Sequence, residues 1–85
     1  MNLQIKPIPP FIDGYKSSDE IIVPLVNDWR ESKSNHPSGF FSASKKTCYV
    51  YYDYYETDTF RQKDGLWIYL GSDSKQKWEV KVIDD

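Results

Sequence analysis

TCYVYYDYY, residues 47–55, is the stretch of this sequence that decides its fold. All of its residues except Cys48 and Asp53 are β-branched or aromatic, the types that favour strands. Alternate positions at Cys48, Val50, Tyr52 and Tyr54 form an apolar set, as expected for a strand with one buried face. The stretch therefore predicts a β-strand in the core of the domain.

Short segments on both sides of this strand share its period of two. Turn-forming residues separate them, and Asp64-Gly65 is the pair favoured in a two-residue hairpin loop. Strands joined by short turns are antiparallel neighbours, so residues 39–83 are predicted to form a four- to five-stranded antiparallel meander. The predicted strands are 40–43, 47–55, 59–62, 66–70 and 77–83.

The only helical pattern precedes the meander. Ile22, Val26 and Trp29 are apolar residues at helical spacing, and they predict one amphipathic helix over residues 17–33 that packs on one face of the sheet. Pro24 would interrupt that helix, which leaves an alternative of an extended segment before Pro24 and a shorter helix after it. Either version predicts the α+β class.

The chain has room for one small domain, residues 1–85. Residues 1–16 contain three closely spaced prolines and are predicted to form an extended arm, with a short edge strand over residues 3–5. A loop over residues 34–39 joins the predicted helix to the meander. We therefore expect an arm, one helix and an antiparallel meander.

Charge and cysteine content narrow the class of protein. Thirteen acidic and eleven basic residues leave a net charge of −2, which provides no long-range attraction to duplex DNA or to an anionic membrane. No segment has the apolar length of a membrane span. The single cysteine, Cys48, cannot form an internal disulfide, whereas small secreted domains usually have several. We expect a cytoplasmic protein.

Residues suited to catalysis or metal binding are scarce. His36 stands alone in a polar loop, and Cys48 is interpreted as a small buried hydrophobe. The carboxylates of Asp53, Glu56 and Asp58 cluster near a strand end, where a solvated turn explains them. The glycines are isolated at turns, so they form no phosphate-binding loop. We predict a protein that is not an enzyme and has no catalytic residue, metal site or cofactor.

The second face of the predicted sheet is the informative one. A sheet face that meets water usually carries Thr, Lys, Glu and Ser. Assigning Leu66, Ile68 and Leu70 to the core instead places tyrosines and a tryptophan on this outer face. The residues predicted to bind a partner there are Tyr49, Tyr51, Tyr55, Arg61, Trp67, Tyr69, Lys77 and Lys81.

Three interpretations compete for this face. In the first, the arm covers the face or its aromatic pairs only stabilise the sheet. In the second, the face is a protein interface. In the third, its aromatic rings stack on unpaired bases or sugar rings. Tyr, Trp and Arg dominate protein-binding hot spots, and the nearly balanced charge disfavours nucleic acid. We therefore expect a protein-binding module that occupies a surface of a larger partner. Its size and composition are typical of inhibitors, immunity-type proteins and phage accessory regulators.

Two alternatives to this function stay open. The same patch could pair with itself across a two-fold axis, which would make the protein a homodimer. Single-stranded nucleic acid or a glycan is the alternative ligand, because stacking on tyrosine and tryptophan tolerates any ring with a flat face.

Overall fold

In the part of the chain that the structure describes, seven strands form one antiparallel sheet that curls into a nearly closed barrel. The computed structural model describes residues 1–33 and 35–84, so Ser34 of the predicted loop and the terminal Asp85 lie outside the described residues. The order of strands in the sheet is β2-β1-β7-β6-β5-β4-β3. The strands are β1 (Asn2–Pro7), β2 (Ile21–Pro24), β3 (Ser38–Phe41), β4 (Thr47–Asp53), β5 (Glu56–Lys63), β6 (Leu66–Tyr69) and β7 (Trp78–Ile83).

The predicted helix over residues 17–33 is wrong, and with it the α+β class, because the fold is all-β. The described part of this segment contains two single 3-10 turns, Ser17–Asp19 and Trp29–Glu31, with strand β2 between them. The extended segment before Pro24 is confirmed, whereas the shorter helix after it is wrong. No helix among the described residues is long and apolar enough to cross a membrane.

Strand β2 forms because β1 offers its backbone a partner. Val23 lies opposite Leu3 in the antiparallel pair and is buried with it in the core. An extended chain avoids the helical hydrogen bond that Pro24 would lose. Ile22 and Trp29, which belonged to the predicted helical stripe, are exposed. Strand pairing therefore satisfies the backbone better than a proline-interrupted helix.

The predicted meander is confirmed, with β3 to β7 as consecutive antiparallel neighbours. Asp64 and Gly65 both have positive φ, 54° and 80°, as a type I′ turn requires. The strand expected over residues 3–5 is present, but its predicted position at the edge is wrong. It runs from Asn2 to Pro7 and lies between β2 and β7 in the sheet.

The two edge strands, β2 and β3, approach each other and nearly close the barrel. Just after β2, Leu25 forms an isolated parallel bridge with Gly39 of β3, and the N–H of Val26 donates to the carbonyl of Gly39 at 2.9 Å. A Cβ on Gly39 would lie only 2.5 Å from Cδ2 of Leu3, so the close approach of β3 to β1 requires glycine. The buried apolar core comprises Leu3, Ile5, Val23, Cys48, Val50, Phe60, Trp67 and Trp78.

The predicted faces are confirmed for the centre of β4 and wrong for β6. Cys48 and Val50 are fully buried, as expected. On β6, Trp67 is only 6% exposed and belongs to the core, whereas Leu66 and Leu70 are 38% and 50% exposed. The assignment of Leu66, Ile68 and Leu70 to the core is therefore reversed, and Trp67 and Tyr69 leave the predicted outer face.

Turn geometry explains this reversal. The two-residue turn pairs Lys63 with Leu66, and counting back along the hairpin places Tyr69 opposite Phe60. Residues directly opposite each other in an antiparallel pair share a face, so Tyr69 faces the interior with Phe60. All four residues of β6 are apolar, so their alternation carries no information about which pair is buried.

Candidate functional site

The eight residues predicted to bind a partner do not form one surface. Trp67 and Tyr69 point into the barrel, where both pack against the core. Arg61 lies on the outer face opposite Thr47, and Lys77 and Lys81 lie at β7, three strands away from β4. The tyrosines of the β4–β5 hairpin are the part that stays together: Tyr49, Tyr51 and Tyr55.

An aromatic strip covers the outer face of β3 and β4. Phe40 and Tyr49 are directly opposite each other, and their rings stack at a centroid distance of 5.0 Å and an angle of 21°. Tyr51 follows on the same face, opposite Ser38 of β3. Phe40 lies in a predicted strand whose face the sequence leaves unassigned, and only the pairing with β4 identifies it as part of this strip.

The turn between β4 and β5, here called the hairpin tip (residues 53–56), projects two adjacent tyrosines into solvent. Tyr54 is 82% exposed and Tyr55 is 98% exposed. Oδ1 of Asp53 accepts hydrogen bonds from the N–H groups of Tyr55 at 2.7 Å and of Glu56 at 3.0 Å. This side chain organises the turn backbone, so the tyrosines stand on a defined support. Tyr54 was predicted to lie in the core, and its exposure corrects that assignment.

Charge distinguishes the hairpin tip from the rest of the chain. The hairpin tip contains two carboxylates, Asp53 and Glu56, and no basic residue. Asp58 points into the barrel, and Arg61 and Lys63 lie toward the other end of β5. The turns at the opposite end of the barrel instead contain Lys45 and Lys46. The hairpin tip is therefore both aromatic and acidic.

An open groove of about 640 Å³ lies at the opposite end of the barrel, beside the turn between β3 and β4. Trp67 and Phe41 contribute aromatic surface, and their rings are 6.1 Å apart. Lys45 and Lys81 also line the groove, and Nζ of Lys81 lies 3.7 Å from a carboxylate oxygen of Glu79. Trp67 thus faces this groove rather than the outer surface predicted for it.

A smaller pocket lies at the same end of the barrel as the hairpin tip. We call it the aromatic pocket, and its volume is about 240 Å³. Its rings contact one another in series: Tyr15 meets Trp78 edge-on at 5.1 Å, Trp78 meets Phe60 at 5.4 Å, and Phe60 meets Tyr69 at 5.3 Å. The full lining is Tyr15, Asp19, Ile21, Asp58, Phe60, Tyr69 and Trp78.

Asp58 holds two phenol groups inside the barrel. Its Oδ1 accepts from the hydroxyl of Tyr69 at 2.8 Å, and its Oδ2 accepts from the hydroxyl of Tyr52 at 3.1 Å. Burial, reinforced by the Asp58 carboxylate, raises the pKa of Tyr52 to about 12. The hydrogen bond to Asp58 also raises the pKa of Tyr69. Both phenols therefore remain protonated donors at neutral pH.

Gln76 ties the segment between β1 and β2 to the end of the barrel. The side chain is 1% exposed, its Oε1 accepts from the N–H of Ile12 at 2.8 Å, and its Nε2 donates to the carbonyls of Ile8 at 2.7 Å and Lys77 at 2.9 Å. These bonds hold the segment that carries Tyr15 against Trp78. Gln76 lies between the predicted strands 66–70 and 77–83, and no local signal distinguishes a buried glutamine there.

The groups considered for catalysis do not converge. Cys48 is fully buried, as expected, and burial raises the pKa of its thiol to about 12. His36 is exposed in its loop. Within residues 1–33 and 35–84, no group of three His, Cys, Asp or Glu side chains is arranged to hold a metal ion.

Comparison with known proteins finds no matching family model, no similar curated protein and no similar solved structure. Function has therefore to be inferred from the hairpin tip, the groove and the aromatic pocket themselves. Of these, the hairpin tip is the most exposed to a partner, because its tyrosines lie almost entirely in solvent.

Proposed function

We propose that this protein is a non-enzymatic binding module that recognises a basic surface of a larger protein with its hairpin tip. The observation that carries the proposal is the exposure of Tyr54 and Tyr55, 82% and 98%, on a turn organised by Asp53. Tyrosine gains a large contact area on binding and loses little rotamer freedom. Two such side chains on an organised turn are suited to anchor a partner.

The contact area that the two tyrosines can bury supports this role for the hairpin tip. An aromatic side chain buries roughly 150–250 Å² when it is covered, so Tyr54 and Tyr55 together supply about 300–500 Å². A standard interface needs about 800 Å² from each partner. Tyr49 and Tyr51 lie on β4 of the same hairpin, and with Phe40 of the neighbouring β3 they supply further contact area.

Charge favours a basic partner over the alternatives. The hairpin tip has the carboxylates of Asp53 and Glu56 and no basic residue, so it repels a second copy of itself as well as nucleic acid phosphates. A homodimer through this surface is therefore less favourable than a basic partner. The stacking platform for bases or sugars also loses Trp67 and Tyr69, which lie inside the barrel.

A module of this kind acts by occupying a surface. We propose an inhibitor or regulator, of the immunity or phage accessory kind, whose partner uses a basic surface for its own function. A cytoplasmic setting fits the buried, unpaired thiol of Cys48.

The test is a selection of binders from a displayed random-peptide library, followed by affinity measurements. We expect the selected peptides to be enriched in arginine and lysine and to lose affinity as salt rises. The double variant Tyr54→Ser with Tyr55→Ser should bind them at least tenfold more weakly while keeping its melting temperature, because neither side chain packs in the core.

The matched control is Trp29→Ser, which removes another exposed aromatic side chain outside the hairpin. We expect this variant to bind the selected peptides as the wild type does. Unchanged binding by the double tyrosine variant, or selected peptides without basic enrichment, would contradict the proposal.

A further inference from the structure

We propose that the aromatic pocket binds a methylated ammonium group, the cationic head of a choline-like molecule or of a trimethylated lysine. The site is built from Tyr15, Phe60, Tyr69 and Trp78 together with the carboxylates of Asp19 and Asp58. None of these residues belongs to the hairpin tip, so this site and the proposed protein-binding surface can each fail alone.

Size limits what the aromatic pocket can hold. Its volume of about 240 Å³ lies below the roughly 300–1,000 Å³ of sites that enclose drug-sized ligands. Tyr15 and Tyr69 line it as half-buried rings and Phe60 and Trp78 as rings only 2% and 4% exposed, and together with the side chain of Ile21 they make most of its wall apolar. The pocket is therefore suited to one compact group with an apolar surface.

The charge of the pocket lining favours a cationic group. The lining contains two carboxylates, Asp19 and Asp58, and no lysine, arginine or histidine. The face of an aromatic ring is itself negative and attracts cations, which is how aromatic cages bind quaternary ammonium groups. Rings and carboxylates thus favour the same ligand charge, and a compact apolar cation meets both requirements.

Hydrogen bonding favours a methylated ammonium over a primary one. Both oxygens of Asp58 already accept phenol hydroxyls, and Oδ2 of Asp19 accepts the N–H of Lys16 at 2.9 Å. A primary ammonium has three N–H donors that must replace their bonds to water. A quaternary ammonium has none, so it gains from the rings and the carboxylate charge without needing free acceptors.

The walls of the aromatic pocket are organised in advance. Gln76 fixes the segment that carries Tyr15, and the hydroxyl of Tyr69 is bound to Asp58. The ring of Tyr69 also packs over Gly71, where a Cβ would lie 2.5 Å from the Tyr69 hydroxyl oxygen. A preformed site spends less free energy on ordering side chains when the ligand binds.

The first measurement is an NMR titration with choline and with its neutral isostere, 3,3-dimethylbutan-1-ol. We expect choline to shift the indole N–H of Trp78 and the ring signals of Tyr15 and Tyr69 in a saturable way, with sodium chloride at equal ionic strength as the blank. The isostere has the same shape without the charge and should bind at least tenfold more weakly. Equal binding of the two compounds would overturn the proposal.

The second measurement uses a pair of variants with the same change in charge. Asp19→Asn keeps a side-chain oxygen for the N–H of Lys16 but removes a carboxylate from the pocket, and should weaken choline binding at least threefold. Asp13→Asn removes a carboxylate from the same segment outside the pocket and should leave binding unchanged. Asp13 has a positive φ of 54°, which asparagine also accepts.

A third variant, Tyr15→Leu, removes one ring and should weaken choline binding at least tenfold. If Tyr15→Leu also loosens the segment that carries residue 15, its weaker binding has two explanations. The comparison of Asp19→Asn with Asp13→Asn then decides whether the pocket binds choline, since neither change removes a packed side chain. Equal choline affinities in these two asparagine variants would overturn the proposal.

Two peptides then identify the source of the group. A trimethyllysine peptide that binds more tightly than free choline indicates a modified protein side chain, and the reverse order indicates a small molecule. Either result supports the pocket. The same peptide with unmodified lysine should bind at least tenfold more weakly, and equal binding would overturn the preference for a methylated group.

Discussion

Asp58 shows how much one side chain organises in this small barrel. It lies on the inner face of β5 opposite Val50, and its two oxygens bind hydroxyls from β4 and β6. A carboxylate accepting such bonds compensates for the loss of water around it. Removing its charge should therefore be visible in the titration of the tyrosines that it binds.

At this residue scale we predict that Asp58→Asn lowers the pKa of Tyr52 from about 12 toward its ordinary value of 10. The carboxylate charge and hydrogen bond are lost, while burial of the ring continues to raise the pKa. Tyrosinate absorbance followed against pH measures the change, with Tyr52→Phe identifying the signal. An unchanged titration in Asp58→Asn would show that Asp58 does not control this phenol.

The free energy of unfolding should depend on pH through the phenol of Tyr52. The pKa of Tyr52 is raised on folding, so its contribution is complete below pH 10 and is lost as pH rises from 10 to about 12. We expect the urea midpoint of the wild type to fall more than that of Tyr52→Phe across this range. Parallel curves for the two proteins would contradict the assignment.

At the scale of the element, the assignment of buried and outer faces is best tested on β6, where neighbouring apolar residues face opposite sides. Trp67→Ala removes a buried indole and should lower the free energy of unfolding by about 3–5 kcal/mol. Ile68→Ala acts on the outer face and should lower it by about 1 kcal/mol. Denaturant unfolding of both variants measures the difference, and a larger loss for Ile68→Ala would restore the face assignment that the structure reverses.

Closure of the barrel is a property of the whole molecule, and it depends on Gly39. A Cβ there would lie 2.5 Å from Cδ2 of Leu3 and 3.0 Å from Cγ2 of Val23, and both side chains are buried. Gly39→Ala should therefore lower the free energy of unfolding by about 1–3 kcal/mol through overpacking.

A double-mutant cycle tests the cause of that loss. Leu3→Val shortens the side chain that the new methyl group meets, so we expect the combined loss with Gly39→Ala to be smaller than the sum of the two separate losses. Thermal or urea unfolding of the four proteins provides the values. Strictly additive losses would show that contact with Leu3 is not what Gly39 avoids.

The sheet also separates the two proposed binding surfaces from the groove. The molecule measures 34 × 24 × 24 Å, with the hairpin tip and the aromatic pocket at one end and the groove beside Lys45 at the other. A barrel exposes side chains at its ends without opening its core. This arrangement lets 85 residues present distinct surfaces without a second domain.

The sequence by itself determined the local structure of the meander. The strand signal at residues 47–55 and the Asp64-Gly65 turn depend on β-branched and aromatic side chains and on positive φ, which act within a few residues. The meander of β3 to β7 follows from them because its strands are joined by short connections. The absence of a charge bias toward nucleic acid was likewise readable from composition.

Only the tertiary structure decided which segments pair at long range and which faces are buried. β1 pairs with β7 across more than half of the chain, and β1 also turns the segment around Val23 into a strand rather than a helix. Burial of Gln76 and the juxtaposition of Tyr15 with Trp78 depend on the same closure. The physical reason is that local conformational preferences are weak, so backbone pairing and burial against residues far away in the sequence override them.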